Sequence, residues 1–274
     1  MSLSPTNLAT HNVCDQMGNT VEVPLSPQRV VSLVPSQTEL LFDLGLENRV
    51  AGVTRYCLHP ERARRVCGDA GGTKRVKFAS IESLKPDLII GNKEENDQES
   101  IEMLAQHYPV WMSDIENFDD ALVMVDLIGK LMNVDPQSTA MVKQIREDWQ
   151  ALPDGDQTSV AYLIWKKPYM ASGSSTFIHA VLEKLNFRNV FADCPRYPKI
   201  DLDALIERAP EWVFLSSEPF PFTQDHVQEL AKLLPKSRVI RVDGEMFSWY
   251  GSRLCLAPTY FQSLLAQLKE PAFL

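Results

Sequence analysis

The segment RVVSLVPSQTELLFDLGL, residues 29–46, contains the pattern of a β-strand followed at once by a helix. Its first six residues form a short apolar run rich in valine, which is typical of a buried strand. The segment that follows predicts a helix in which Ser36 and Glu39 form an N-terminal capping box and Gly45 ends the helix. A strand joined directly to a helix is the repeating unit of α/β proteins, so this segment sets the expected fold class.

The same alternation continues along the chain and then restarts near residue 159. Because parallel strands need crossover connections, this order predicts parallel sheets with helices on both faces. Between the two series, residues 118–134 place apolar side chains at helical spacing. We therefore expect an N-terminal α/β lobe over 1–117, a connecting helix over 118–134 and a C-terminal α/β lobe over 135–274. The strands are expected at 29–34, 49–53, 87–91, 109–113, 159–165, 211–216 and 237–242.

Composition excludes several classes of protein. The formal net charge is −9 and the pI about 5.1, so the chain should repel nucleic acid, and the basic cluster at 62–77 lacks interleaved aromatic residues. No apolar run approaches the roughly 20 residues that span a bilayer. The five cysteines follow no zinc spacing. The N-terminal residues show neither the basic start nor the apolar core of an export signal.

Polar and aromatic residues cluster in the loops that follow the predicted strands. Ligands of open α/β sheets bind outside the carboxyl ends of the strands, so loops 54–60 and 91–96 should face one crevice. Lys74 follows a Gly-Gly turn that could bind an anion, Lys166 precedes a helix N-terminus, and two adjacent aromatic residues could stack on a flat ligand. A structural turn, a solvated loop or a core ring would give the same patterns. The candidates from residue chemistry are Lys74, Asn92, Glu94, Lys166, Trp249 and Tyr250.

Cys57 and His59 form a thiol–imidazole pair that suits a soft metal ion. Two ligands leave such a site half made, so a metal centre would need a third ligand. Two other interpretations stay open. Cys57 is half-buried while His59 bonds loop carbonyls, or both contact an organic or chelated ligand. The third metal ligand would come from Cys67, Glu94, Glu95 or His179.

Catalytic motifs are missing from the sequence. SGSST, residues 172–176, is not the G-x-S-x-G nucleophile elbow, and no H-E-x-x-H motif is present. The D-x-H-x-x-G signature of cobalamin-dependent enzymes is also absent. We expect a binding protein rather than an enzyme, with no covalent cofactor.

Two motifs and the restart near residue 160 resemble a known family. S-x-x-E-L-L-F-x-L-G-L over 36–46 and LKPDLII over 84–90 are similar to the helical-backbone, class III periplasmic binding proteins. That family supplies vitamin B12 and siderophore-bound iron to ABC importers. The resemblance extends over nearly the whole chain.

The resemblance implies two Rossmann-like, three-layer lobes, a long backbone helix and a ligand cleft between the lobes. It implies a small-molecule metal chelate as ligand, namely a corrinoid such as cobalamin, haem or a siderophore-iron complex. An ABC permease as partner, a monomeric state and a periplasmic or other extracytoplasmic location also follow from it. The alternative is a non-secreted corrinoid- or metal-binding carrier or sensor without a permease, in the cytoplasm, which the missing export signal favours.

The resemblance also assigns roles to individual residues. Tyr56 matches a tyrosine that lies against the corrin ring. Trp165, Tyr169 and Met170 match the first cleft loop of the second lobe, and Met246 and Phe247 match a segment of aromatic contacts. The transporter-docking glutamates of the family match Ala79, for which Glu82 could substitute, and Asp203.

Overall fold

A computed structural model describes residues 9–153 and 155–270, which fall into two units. The first unit comprises the described residues up to Asp114, Leu122–Lys143 and Tyr250–Ser252. The second comprises Ile115–Ala121, Gln144–Trp249 and the residues from Arg253 onward. The expectation about an export signal concerns an N-terminus whose residues 1–8 lie outside the described part.

The first unit is built on a five-stranded sheet in which every pairing is parallel. The strands at 68–69, 50–53, 30–32, 88–92 and 110–113 lie side by side in that order. The first strand of the sheet along the chain, 30–32, is therefore in the middle, which is the order of a Rossmann-like half. The fold class predicted for this part is confirmed. Its elements are β1 Thr10–Cys14, β2 Thr20–Pro24, β3 Val30–Ser32, α1 Pro35–Asp43, β4 Val50–Val53, α2 Ala63–Val66, β5 Gly68–Asp69, α3 Phe78–Leu84, β6 Leu88–Asn92, α4 Gln98–Ala105 and β7 Val110–Ser113.

Strand β3 and helix α1 form where the opening segment predicts them, but the helix starts differently. Val34 is the N-cap residue and makes no side-chain capping bond, while Pro35 occupies the first helical turn. The predicted Ser36 capping box is wrong, because the fixed φ of proline begins the helix two residues earlier, at Pro35, and leaves Ser36 buried inside it. Gly45 ends the helix as predicted, with a φ of +77° that favours glycine.

The helical segment in the middle of the chain forms two helices, α5 Phe118–Leu131 and α6 Asp135–Gln150. The predicted boundaries around 118–134 do not match the division into units, which falls inside each helix. At one end of α5, the ring of Phe118 lies 4.7 Å from that of Trp149 in the second unit. Beyond its other end, the carbonyl of Met132 accepts a hydrogen bond from Arg49 at 2.8 Å in the first unit.

The second unit contains a six-stranded sheet that mixes parallel and antiparallel pairs. Strands β8, β12 and β13 are parallel neighbours, as expected for an α/β lobe. Strands β9 and β11 add an antiparallel edge that the sequence pattern did not predict. The elements are β8 Ser159–Trp165, β9 Tyr169–Ala171, α7 Phe177–Lys184, β10 Arg188–Asn189, β11 Lys199–Ile200, α8 Leu202–Arg208, β12 Trp212–Ser216, α9 Gln224–Leu233, β13 Arg238–Val242, α10 Gly244–Ser248 and α11 Ala257–Lys269.

Each unit has an apolar core of its own. In the first unit, side chains of β3, β6 and β7 pack with Ile81 of α3 and Leu104 of α4. In the second, side chains of β8 and β12 pack with Leu205 of α8 and Leu230 of α9. Within residues 9–153 and 155–270, every helix is too short or too polar to cross a membrane.

Candidate functional site

The first unit places its predicted ligand loops at the carboxyl ends of β3, β4, β5 and β6. Strands β3 and β6 are adjacent in the sheet although their connections run to opposite sides. In open α/β sheets this reversal of strand order is the position where ligands bind. The loops at this end of the sheet, after β4, β5 and β6, are therefore the expected binding face of the first unit.

Asn92 shapes this face from inside. Its side chain is 1% exposed, and its Oδ1 accepts hydrogen bonds from the N–H groups of Glu94 and Glu95 at 2.9 and 3.0 Å. Its Nδ2 donates to Ser113 Oγ at 3.0 Å. The structure corrects the prediction that Asn92 contacts the ligand, because the amide is buried and holds the loop that follows β6.

The structure brings Lys74 to the backbone of Glu94. Lys74 Nζ donates a hydrogen bond to the main-chain carbonyl of Glu94 and a longer one to that of Asn96 at 3.4 Å. The lysine stem is exposed and Glu94 is half-buried. The ammonium group therefore joins the Gly-Gly-Thr-Lys turn to the loop after β6.

Tyr56 is exposed at this face, with 55% of its surface accessible. A Cβ atom placed on Gly72 would lie 3.3 Å from Tyr56 Cε2, so the edge of the ring rests on the glycine. His59, three residues later, is half-buried. An exposed aromatic ring whose edge packs on a glycine is suited to stack on a flat ligand.

Cys57 points the opposite way. Its thiol is fully buried and lies 3.1 Å from the Thr38 hydroxyl and 3.4 Å from the Thr54 hydroxyl. Burial raises the pKa of the Cys57 thiol, which keeps it protonated. A buried neutral thiol in a hydroxyl cluster corrects both roles predicted for Cys57, as ligand contact and as metal ligand.

Two of the side chains expected to complete a metal centre, Cys67 and His179, are engaged elsewhere. Cys67 donates to the carbonyl of Val50 at 3.2 Å, and burial raises the pKa of its thiol to about 11. His179 Nε2 in the second unit lies 3.4 Å from Glu183 Oε1. Across the described residues, no group of three or more His, Cys, Asp and Glu side chains is arranged to hold a metal ion. The structure therefore gives no support to Cys57 and His59 as a metal pair.

In the second unit, Trp165 ends strand β8 and remains 40% exposed. Its ring meets that of Phe220, from the loop after β12, edge to face at 5.6 Å. Lys166 forms an ion pair with Glu229 of α9, and Tyr169 is half-buried against the core of the unit. Burial raises the pKa of Tyr169. Trp165 is thus the predicted contact of this loop that is most open to a ligand.

Glu218 is a functional-site candidate that the sequence pattern missed. It follows β12, and its Oε1 accepts hydrogen bonds from Ser248 Oγ at 2.6 Å and Trp249 Nε1 at 3.0 Å. Arg253 lies over the face of Trp249 at 5.2 Å and pairs with Glu245 at 3.5 Å. The available signal was only its position at the carboxyl end of a strand, because Ser248 and Trp249 are some thirty residues away in sequence.

The aromatic residues predicted on the loop after β13 are mostly turned inward. Phe247 is completely buried, with ring centroids 5.0 Å from Tyr162 and 4.9 Å from Phe261. The structure corrects its assignment as a ligand contact, because it is a core residue. Trp249 and Tyr250 are 8% and 6% exposed, so neither presents a ring face as predicted, while Met246 is half-buried.

The two candidate docking carboxylates are both exposed. Glu82 lies on α3, and Asp203 lies in the first turn of α8, beyond the N-cap residue Asp201. Asp201 caps the helix by accepting from the N–H of Ala204 at 2.8 Å. Exposure fits a docking role, and the role itself stays a prediction.

Comparison with known proteins gives consistent matches. The chain is 24% identical over 250 residues to the vitamin B12-binding protein of Pectobacterium carotovorum, covering 88% of this chain and 90% of that protein. It is 24% identical over 209 residues to YvrC of Bacillus subtilis, described as an uncharacterized ABC transporter substrate-binding lipoprotein, covering 72% of this chain and 66% of that one. Thus the chain spans just under two thirds of YvrC.

A solved structure and a family model give results consistent with these sequence relatives. The periplasmic heme-binding protein RhuT from Roseiflexus superposes with a TM-score of 0.76 at 18% identity, covering 89% of this chain and 99% of that one. Residues 30–233 match the family described as periplasmic binding protein. That match covers well over half of the 274 residues. The chain therefore belongs to the periplasmic binding protein family.

Proposed function

We propose that this chain is the substrate-binding protein of an ABC importer and that its ligand is a metal chelate. The ligand is a corrinoid such as cobalamin, haem or a siderophore-iron complex. The observation that supports this most strongly is the family match over residues 30–233, together with relatives named for vitamin B12 and heme.

The exposed aromatic residues support a flat ligand. Tyr56 in the first unit and Trp165 in the second are both open at the carboxyl ends of their strands. Aromatic faces bury large apolar area and stack on conjugated ring systems, which suits a tetrapyrrole or an aromatic chelate. Tyr56 and Trp165 are the proposed stacking contacts.

Polar residues beside these rings would contact the periphery of the ligand. His59, Lys74 and Glu94 lie on the loops of the first unit, and Lys166 lies on a loop of the second. Tyr169 of β9 and the apolar Met246 of α10 add to the contacts proposed for the second unit. Asn92, Cys57 and Phe247 act from inside by holding the loops and the core in place. Such prearranged loops reduce the ordering cost of binding.

Delivery to a permease is the second part of the proposal, and it places the protein outside the cytoplasm. Glu82 and Asp203 are exposed carboxylates that could pair with basic residues of a partner. If they dock the protein, Glu82→Lys with Asp203→Lys should abolish ligand uptake by cells while the ligand Kd stays unchanged. Uptake at the wild-type rate by the double variant would remove this docking assignment.

Titration by visible absorption tests the ligand class directly. The purified protein is titrated with cyanocobalamin, hemin and a ferric hydroxamate, and the Tyr56→Ala/Trp165→Ala double variant serves as the control. We expect one compound to bind at one site with a Kd below about 10 µM, which corresponds to roughly 7 kcal/mol. Binding should weaken in the control. If none of the three compounds binds, the proposed function fails.

A further inference from the structure

We propose that Asn96 is a positioning residue for the ring of Tyr56, acting through the turn at residues 71–75. The importance of this role for ligand binding rests on the proposed function, in which Tyr56 stacks on the ligand. The geometry that supports it lies entirely within the first unit and involves no residue of the second.

The side chain of Asn96 joins three segments at the carboxyl edge of the sheet. It is buried, with 5% exposure, and its Oδ1 accepts a hydrogen bond from the N–H of Asn92 at 2.8 Å. Its Nδ2 donates to the carbonyls of Leu33 at 3.2 Å and Thr73 at 3.0 Å. One amide therefore links the end of β6, the residue after β3 and the turn that follows β5.

The turn has few alternative conformations. Gly71 has a φ of +101°, and a Cβ atom there would lie 2.7 Å from both the Arg75 carbonyl and the Lys77 nitrogen. The N–H of Gly72 donates to the Arg75 carbonyl at 2.8 Å. Because Lys74 also donates to the carbonyls of Glu94 and Asn96, the turn is fixed from both ends.

Two contacts connect the turn at residues 71–75 to Tyr56. The N–H of Arg55 donates to the carbonyl of Gly71 at 2.8 Å, which fixes the backbone just before the tyrosine. The ring itself rests on Gly72, whose absent Cβ leaves the space that Tyr56 Cε2 approaches. Since more than half of the tyrosine surface is exposed, few other contacts restrain the ring.

The consequence for binding is a lower entropic cost. A rotamer-rich side chain loses conformational freedom when a ligand immobilises it, and this cost falls when the side chain is already held. Loosening the turn should therefore weaken binding through Tyr56. We expect about a 2- to 12-fold increase in Kd, the range that corresponds to ordering one side chain.

The first test needs no ligand. The protein is labelled with 3-fluorotyrosine, and the fluorine NMR signal of Tyr56 is assigned with Tyr56→Phe. Asn96→Ala should shift or broaden that signal. Gly72→Ala, which places a Cβ 3.3 Å from the ring and leaves Asn96 intact, should do the same.

Asn189→Ala is the matched control for this measurement. Asn189 is also buried, accepts from the N–H of Phe191 at 3.0 Å and donates to the carbonyl of Ser172 at 3.0 Å, but it lies in the second unit. The Asn189→Ala variant should leave the shift and the width of the Tyr56 signal unchanged. An unchanged Tyr56 signal in folded Asn96→Ala or in Gly72→Ala would overturn the proposal.

The second test is a double-mutant cycle with cyanocobalamin and hemin as probes. Asn96→Ala should raise the Kd of the probe that binds in the wild-type background and have no effect on it in the Tyr56→Ala background. An equal factor in both backgrounds would mean that Asn96 acts without Tyr56, which contradicts the proposal. If neither probe nor the ferric hydroxamate binds wild type, the proposed function fails, whereas the NMR test still decides the positioning role.

Discussion

Glu218 Oε1 accepts a hydrogen bond from Trp249 Nε1 at 3.0 Å, so a half-buried carboxylate holds the indole at the end of α10. Burial raises the pKa of Glu218, the hydrogen bonds from Ser248 and Trp249 oppose that shift, and the neighbouring carboxylates of Glu245 and Asp243 add to it. The result is a carboxyl group that binds its proton more tightly in the folded protein than in the unfolded chain.

Glu218→Gln should therefore change how stability depends on pH. A raised pKa favours folding below the ordinary glutamate value of about 4.3, and this contribution is lost as the pH rises through the raised value. Gln keeps the acceptor for Trp249 and does not titrate. In urea unfolding from about pH 4 to about pH 8, the variant should gain stability relative to wild type as the pH increases.

Glu229→Gln is the control with the opposite sign. The hydrogen bond from Lys166 lowers the pKa of Glu229, so its contribution is present above the ordinary value and lost as the pH falls. At neutral pH that variant should have a lower free energy of unfolding than wild type. The difference should shrink as the pH falls into the acid range. A stability difference between wild type and Glu218→Gln that does not vary with pH would contradict the first prediction.

Phe247→Ala should destabilise the second unit by about 3–5 kcal/mol, the usual cost of removing a buried phenylalanine ring. The ring is completely enclosed, with Phe214 and Phe261 among its neighbours, so its loss leaves a cavity. Chemical denaturation measures the change, and Met246→Ala, at a half-buried neighbour, should cost less. Full stability with reduced ligand affinity would show that Phe247 faces the ligand after all.

Cys57 should resist thiol reagents in the folded protein. Its burial raises the thiol pKa and denies access, whereas Cys14 is exposed. Labelling with iodoacetamide, followed by peptide mass spectrometry, should modify Cys14 within the first time points and Cys57 only after unfolding. Rapid labelling of Cys57 in the native protein would argue for a reactive thiolate and reopen the metal-ligand hypothesis.

Tyr56→Ala should weaken ligand binding with little effect on folding. Stacking of one aromatic ring is worth about 0.5–1.5 kcal/mol beyond area burial, so Kd should rise about 2- to 12-fold. Stability should change by less than about 0.5 kcal/mol, because the ring is mostly exposed. Tyr56→Phe should retain most of the affinity, since it keeps the ring.

Val66→Ala is the control for that experiment, because it removes an exposed apolar side chain of the same unit, with 66% of its surface accessible. Its Kd should equal that of wild type. Equal affinity in wild type and Tyr56→Ala would remove Tyr56 from the binding face.

Several elements could be predicted from the sequence because their signals are local. The valine run before Pro35 and the apolar run 88–91 form strands β3 and β6, since short apolar segments bounded by proline and polar residues have few alternatives. The helical spacing over 118–131 likewise gave α5. The family motif over 36–46 covers most of α1 and the residues that follow it, and the motif over 84–90 runs from the end of α3 into β6.

Other elements could not be predicted from local sequence patterns. Strands β9 and β11 are three and two residues long, and they gain their stability from the pairing of β11 with β9 and of β9 with β8. The position of the unit boundary inside α5 depends on which side chains Phe118 and Met132 meet, and those partners are distant in sequence.

The sequence by itself determined the α/β class, the order of the main strands and the loops that gather at their carboxyl ends, because hydrophobic periodicity and turn residues act over a few positions. Only the tertiary structure decided which way each loop side chain points. Phe247 and Trp165 are both aromatic, yet Phe247 is completely buried and Trp165 is 40% exposed. Burial is a sum over neighbours brought together by the whole fold, so no local pattern could separate the two.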